Sequence, residues 1–281
     1  MFLAKDRLKR VTSVADFMRA VGRLREGWKK NSIEELWFRG ESAKHHRTTL
    51  RPTLYRSQRP TGDILDLEKY LLEEFIRSGS TLSDGSPEDD GDWYFLMQHH
   101  GGPTRLLDFS DGALIALHFA LTSKTSYMTG DDAVIYVLDP TWLNERFPEP
   151  VVSKELEDEE WNELDLFFPR LREHEEIPIP NDPLVLEFER FTRRIAAQRS
   201  RFIIFGLDRD PLAPLLAKGD SRLAKIVFDG SKKSKARQDL RTLGMTESVV
   251  YPDLDGMGRE IANLWKDFEP IHTVRKRATK R

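Results

Sequence analysis

Apolar residues return at helical spacing at Val14, Phe17, Met18, Val21 and Leu24, which predicts an amphipathic helix with one face turned to a core. Ser13-Val14-Ala15-Asp16 ahead of it has the form of a capping box. In that motif the serine oxygen accepts from an early main-chain N–H and the acid reaches back. Leu36-Trp37-Phe38 is short, apolar and aromatic, the pattern of a buried strand, and it ends at Arg39-Gly40. A second helix is predicted over 63–77, striped by Ile64, Leu67, Leu71 and Phe75. The stretch 81–92 is a loop by its glycine, proline, serine and acids, and 93–100 a helix that Gly101-Gly102-Pro103 stops. Glycine accepts left-handed dihedrals there, and proline cannot extend the hydrogen-bond ladder.

Beyond that turn, 104–109 reads as a strand, and Ser110 or Asp111 as the cap of a helix that turns Ala113, Ala116, Leu117 and Ala120 inward. Residues 133–138 are β-branched and aromatic and predict a strand, as do 202–205 and 223–228. The stretch 139–187 mixes Trp142, Phe147, Trp161, Phe167 and Phe168 with acids and prolines and reads as an insertion over the core. A polar helix over 231–243 stops at Gly244, and Leu254, Met257, Ile261, Leu264 and Trp265 mark a last helix that Asp253 caps. Helix and strand signals interleave throughout, without internal repeats. The expectation is an α+β chain with a single mixed-sheet core and surrounding helices. Its organisation reads as an N-terminal helix in 1–30, a main domain over 31–270 with an acidic insertion near 140–187, and a basic tail at 271–281.

Composition narrows the function classes. With 281 residues and no cysteine, the chain needs no disulfide for its core and has no thiolate for a metal. No stretch approaches the roughly 18 apolar residues of a membrane helix, and Phe2-Leu3-Ala4 is too short for a signal segment. A soluble, cytoplasmic protein without a membrane partner is expected. The net charge of −3 gives no global field toward nucleic acid. The acidic runs 84–92 and 155–165 and the basic run 275–281 read as solvated faces.

Two stretches carry candidate chemistry. In Trp37-Phe38-Arg39-Gly40-Glu41 a guanidinium at a strand's mouth can fork onto a phosphate or carboxylate, with Gly40 allowing close backbone approach. Alternatively, Arg39 pairs internally with Glu41 or Asp108. The second stretch runs from Gln98 through His99, His100, Gly101, Gly102, Pro103, Thr104 and Arg105 to Asp108. It places an amide, two imidazoles, a hydroxyl, a guanidinium and a carboxylate around one turn, with the histidines able to work as acid or base near neutral pH. Arg105 and Asp108, three apart, point to opposite faces of an extended segment. Adjacent histidines do not share a helix face, so no metal is expected. Nucleotide-hydrolase, Rossmann and serine-hydrolase loops are absent from the sequence.

Trp37-Phe38-Arg39-Gly40, Gln98-His99-His100-Gly101-x-Pro103-Thr104-Arg105-Leu106-Leu107-Asp108 and Tyr251-Pro252-Asp253-Leu254-Asp255-Gly256 together resemble the FRG-domain family, found in bacteria and their phages. A more distant resemblance is to ADP-ribosyltransferases. Phe38-Arg39-Gly40 resembles their first strand, whose arginine holds NAD. Leu107-Asp108-Phe109-Ser110, with Ala116-Leu117-His118-Phe119-Ala120, resembles their second strand and helix. Their third strand bears a glutamate; its nearest counterpart here, in 194–202, offers Gln198.

The resemblance implies an NAD-using site that transfers or hydrolyses ADP-ribose in a toxin or phage-defence setting. Arg39 would clamp a phosphate, with Gly40, Gln98, Thr104, Arg105 and Ser110 around the nucleotide. His99 or His100 would act on the ribose or as acid and base, Asp108 would orient a histidine or Arg105, and Gln198 would contact the ribose or amide. The alternatives are a non-catalytic module that binds a nucleotide or RNA, and a metal-free nuclease using the histidine pair.

Overall fold

The computed structural model describes residues 10–28, 35–42, 49–82, 87, 89–122, 131–147, 166–168, 179–186, 192–218 and 221–267. Its strands are β1 (Arg10–Val11), β2 (Trp37–Glu41), β3 (Leu106–Ser110), β4 (Ala133–Leu138), β5 (Leu184–Leu186), β6 (Ser200–Ile204) and β7 (Leu223–Phe228). They form one seven-stranded sheet in the order β1-β7-β4-β2-β3-β6-β5. Only β1 and β7 run parallel; every other neighbouring pair is antiparallel. The helices are α1 (Val14–Trp28), α2 (Thr61–Gly79), α3 (Asp90–His99), α4 (Ala113–Thr122), α5 (Pro140–Arg146), α6 (Arg193–Ala197), α7 (Lys233–Thr242), α8 (Glu247–Val250) and α9 (Leu254–Asp267). The architecture is α+β with a single mixed sheet. Among the described residues, no helix is long and apolar enough to cross a membrane.

Local chemistry sets most element ends. Ser13 Oγ accepts from Asp16 N at 3.1 Å, so the serine cap forms at the head of α1, while the Asp16 carboxyl takes the serine hydroxyl at 2.9 Å in place of its main-chain N–H. Asp89 caps α3 and Asp253 precedes α9, accepting from Gly256 N. Gly101 at φ 85° ends α3, and Gly244 at φ 81° follows α7. The buried stripe of α2 is rotated from the predicted one: Ile64, Leu65, Glu68 and Leu72 lie inside, with Glu68 paired to the buried Arg105.

The pleat of the sheet separates three apolar clusters. On one face, Phe38, Ile135, Val137, Ala224, Ile226 and Phe228 pack under α1, α4 and α7. On the same face but farther along, Leu106, Phe202, Ile204, Leu184 and Leu186 pack under α2 and α3. The opposite face carries Trp37, Tyr136, Leu107, Phe109 and Ile203 beneath the 3-10 turn Leu54–Arg56 and α5. Side chains two apart share a face, which accounts for this partition.

The two helical clusters meet where the sheet is weakest. Neighbouring strands elsewhere pair over two to six residues, but β2 and β3 share a single register pair, Phe38 with Ser110. Beyond it the strands splay. Helix α4 sits hard against β2 beside this gap: a Cβ on Gly40 would stand 1.9 Å from Ala116 O and 2.8 Å from Ala120 N. Gly40 is therefore required by the helix, and it also lines the cleft at this gap.

The presumed insertion is partly core. Its strand β5 closes one sheet edge against β6, and Phe168 packs edge-on against Tyr94 and Phe95, with ring centroids 5.7 and 6.2 Å away. The acidic run 155–165 and the tail 271–281 lie outside the described residues. Helix α9 forms as predicted, but Leu254, Met257, Ile261, Leu264 and Trp265 are exposed, Trp265 at 78%.

Candidate functional site

A cleft of about 420 Å³ opens at the splay between β2 and β3, between the two helical clusters. Arg39, Glu41 and Arg56 reach it from the far face of the sheet. Gln98, His99, Asp108, Ser110, Phe119, Arg194 and Gln198 line it from the near side. Arg39 sits inside β2, which runs on to Glu41, and not at the strand's end as expected. By the register of Phe38 with Ser110, a continued ladder would set Gly40 opposite Asp108. The Asp108 carbonyl instead accepts from Arg39 Nη1 at 2.8 Å. Arg39 Nε donates to Glu41 Oε1 at 3.3 Å, and its Nη1 lies 3.8 Å from Asp108 Oδ2. The internal pairing of Arg39 weighed from the sequence is thus real, and it occurs at the wall of the cleft.

Asp108 is held from the other side. Gln98 Nε2 donates to Asp108 Oδ2 at 2.7 Å, while Thr104 donates its hydroxyl to Gln98 Oε1 and its oxygen accepts from Leu106 N at 3.1 Å. The hydroxyl fixes which way the amide points, so the amide can only donate toward Asp108. The carboxyl keeps about half of its surface, but that surface opens onto the cleft. Desolvation there raises its pKa above the ordinary value, against the pull of Arg39, Gln98 and Arg56.

Three guanidinium groups line the cleft. Arg56 donates Nε to Arg51 O at 3.1 Å; burial, then the charge of Arg39, lowers its pKa. Arg194 lies over the Tyr251 ring at 4.7 Å, and its buried Nε has no hydrogen-bond partner. Among the described residues neither Arg56 nor Arg194 is in an ion pair. Neither is singled out by the sequence as a site residue: Arg56 has no motif around it, and Arg194 enters only as the first residue of the stretch that offers Gln198. Phe119 offers a half-buried ring in the same cleft, set edge-on to Tyr251.

Several expected residues are placed otherwise. Arg105 and Thr104 are wholly buried outside the cleft. Arg105 Nε forks onto Glu68 at 2.8 and 3.0 Å, its Nη1 donates to Phe205 O at 2.8 Å, and its Nη2 donates to Phe167 O. Every donor of this cation points into the protein, so Arg105 is a core residue and not a nucleotide ligand. Asp108 orients neither Arg105 nor a histidine. His100 is exposed and does not line the cleft. His99 does, but burial, then Arg194 and His100, push its pKa to about 4 against the opposing pull of Asp253. It is a neutral imidazole at neutral pH, and its remaining N–H is too weakly acidic for general-acid work. Ser110 spans the cleft wall, donating to Gln198 O at 2.7 Å and accepting from Gly112 N at 3.0 Å, ahead of α4.

Gln198 lies at the end of α6, before β6 begins, and not on a strand. Its Nε2 donates to Val250 O at 3.3 Å. The next residue, Arg199, has φ 49°, so the turn that presents Gln198 to the cleft uses a left-handed residue other than glycine.

A model of the FRG domain matches residues 34–128. This chain carries an FRG domain. The matched segment of the FRG domain contains β2, α2, α3, β3 and α4, and with them Arg39, Glu41, Arg56, Gln98, His99 and Asp108. The cleft is completed from beyond the matched FRG segment by Arg194, Gln198, Ser200 and Phe202. No curated protein and no solved structure matches the chain.

Proposed function

We propose that the cleft binds a phosphate-bearing nucleotide and that NAD is its substrate, cleaved at the bond between ribose and nicotinamide. The observation that carries this reading is the pair Arg56 and Arg194, two guanidinium groups facing one cleft without an ion-pair partner among the described residues. Guanidinium forks suit phosphate oxygens better than a point charge does. Phe119 supplies an aromatic face against which a base or nicotinamide ring can pack.

In the proposed reaction the ribose C1′–N bond breaks and its electron pair leaves with the nicotinamide nitrogen, cancelling that ring's positive charge. The sugar carbon becomes cationic in the transition state, and the Asp108 carboxylate stabilises it by charge. Water or an acceptor hydroxyl then bonds to C1′ and gives its proton to Asp108. The elevated pKa of Asp108 makes it a better base than an ordinary aspartate. Gln98 holds the carboxylate in place throughout. ADP-ribose transfer and NAD hydrolysis differ only in the acceptor.

One observation favours a second reading, binding without turnover. Gln198, matched by sequence to the strand glutamate of ADP-ribosyltransferases, instead ends a helix, and its amide is already engaged with Val250 O. The experiment is calorimetric titration of the protein with NAD and ADP-ribose, alongside measurement of nicotinamide release with and without cell lysate. Saturable binding with release supports the reaction. Binding without release supports the second reading. Absence of binding overturns both.

A further inference from the structure

Tyr251 follows α8 and leads into α9, outside the segment that the FRG model matches. The chain on both sides sets its place. Tyr251 N donates to Glu247 O at 2.8 Å, Val250 before it is fully buried, and Tyr251 O accepts from Asp253 N at 2.9 Å. Gly256, in the first turn of α9, lies directly against it: a Cβ there would stand 1.9 Å from Tyr251 O and 2.7 Å from Tyr251 Cβ. Asp253 Oδ1 accepts from Gly256 N at 2.7 Å and holds that turn. The stretch Tyr251-Pro252-Asp253-Leu254-Asp255-Gly256 thus folds back on its own first residue and seats the tyrosine.

The ring of Tyr251 joins α4, α6 and α9. Phe119 of α4 stands edge-on to it, with centroids 6.0 Å apart and planes at 89°. Arg259 of α9 lies over the ring at 4.2 Å, its charge offset by Glu247 at 3.4 Å. Arg194 of α6 lies over the ring at 4.7 Å. Phe119 and Arg194 line the cleft, and Tyr251 itself does not. Among the described residues, no ion pair and no side-chain hydrogen bond holds Arg194, so its seat is this ring. Four residues on, Gln198 donates Nε2 to Val250 O at 3.3 Å. Two cleft residues contributed by α6 and its end are therefore held by two successive residues, Val250 and Tyr251.

A guanidinium is drawn electrostatically to an aromatic face, more strongly where water is partly excluded, as at the half-buried Tyr251. An arginine already seated at a cleft wall loses less rotamer freedom on gripping an anion than a loose one does. We propose that Tyr251 is a positioning residue for Arg194, its ring holding the guanidinium at the cleft wall where that group meets a phosphate of the nucleotide. This rests on the nucleotide reading above and adds to it the residue that sets one of its two phosphate-binding cations. It also gives the C-terminal stretch 251–256 a role in a cleft that it does not line.

The test is a double-mutant cycle read by calorimetric titration with ADP-ribose: wild type, Tyr251→Leu, Arg194→Met and the double variant, with Tyr251→Phe as the conservative rescue. Tyr251→Met replaces Tyr251→Leu if the latter does not fold. The expected result is a loss of about three- to tenfold for Tyr251→Leu, the scale of one cation–π contact, with Tyr251→Phe within about twofold of wild type. In the Arg194→Met background the same Tyr251→Leu change should cost less than about twofold, because the two residues act as a unit. A purely structural tyrosine would give equal losses in both backgrounds, and that result overturns the proposal. So does a Tyr251→Leu or an Arg194→Met protein that binds as wild type does, or a Tyr251→Phe protein as weak as Tyr251→Leu. In each of these cases wild type still binds, and the nucleotide reading stands. Failure of wild type to bind ADP-ribose overturns the reading and this proposal together.

Discussion

Arg39 Nη1 lies 2.8 Å from the carbonyl oxygen of Asp108, occupying the place a β2–β3 ladder bond would hold. One side chain thus keeps two strands joined at the point where the sheet parts to make a cleft. The strands beside the gap are secured elsewhere, β2 to β4 over five register pairs and β3 to β6 over five. The split can therefore persist without unravelling the sheet.

Arg39 and Arg56 should consequently separate structure from binding. Arg39→Ala removes a charge-assisted bond across the gap and is expected to lower stability by about 1.5–3 kcal/mol as well as weaken nucleotide binding. Arg56 is disfavoured in its charged form by burial, so Arg56→Ala should leave the urea midpoint nearly unchanged while nucleotide binding falls. Urea unfolding and calorimetric titration of the two variants check this. Equal stability losses would remove Arg56 from the site.

Asp108→Asn offers the opposite pairing of effects. A carboxyl whose folded pKa is raised contributes stability below its unfolded pKa, and loses that contribution as pH rises through the folded value. At neutral pH the ionised group is thus a net liability to the fold. Asn keeps an oxygen for Gln98 Nε2, so Asp108→Asn should hold or raise the urea midpoint at pH 7 while abolishing nicotinamide release. A folded Asp108→Asn protein with wild-type release would exclude Asp108 from the chemistry.

The imidazoles predict an acid sensitivity. His99 and His118 both titrate at about 4 against an ordinary 6.5. Burial is the first cause in each, followed by Arg194 and His100 for His99, and by Arg241 and Arg259 for His118. His118 Nε2 has no hydrogen-bond partner, and Glu247 at 3.6 Å is beyond hydrogen-bond reach. Because the folded pKa is depressed, the stabilising contribution is complete above about pH 6.5 and is lost as pH falls toward 4. The urea midpoint should decline through that window, and His118→Leu should flatten the decline. Imidazole NMR titration gives the two midpoints directly; values near 6.5 would refute the account.

Arg105→Met is expected to damage the fold and not the site. Removing the guanidinium leaves Glu68, itself 0% exposed, as a buried carboxyl without its cation, at a cost of about 3–5 kcal/mol. Stability should collapse, while the nucleotide affinity of the fraction still folded should match wild type. A stable Arg105→Met protein that no longer binds nucleotide would return Arg105 to the site.

Much of the fold was legible because periodicity reports burial. β4 and β7 have the bounds that their β-branched runs predict, and the Ser13 cap and both glycine stops form as local chemistry requires. The cleft was legible only in part. Gln98, His99, Asp108 and Arg39 fall within two short, chemically unusual stretches, whereas Arg56 and Arg194 have no local signal.

By itself, the sequence determined the long helices and the central strands, though not β1, α5, β5, α6 or α8, and it marked which two stretches concentrate polar chemistry. Hydrophobic spacing, caps and turn glycines act over a few residues and need no knowledge of partners. Tertiary structure alone decided the allocation of the polar residues. Arg105 and Arg39 are both arginines in or beside strands, yet one is sealed against Glu68 and the other borders a cleft, because only the packing of α2 brings Glu68 to the first. The same long-range packing decided that Gly40 serves α4 and that Gln198 ends a helix. It also decided that Glu41 receives Arg39 Nε at the wall of the cleft. Such roles depend on which distant residues arrive beside a side chain, and the order of residues along the chain does not state that.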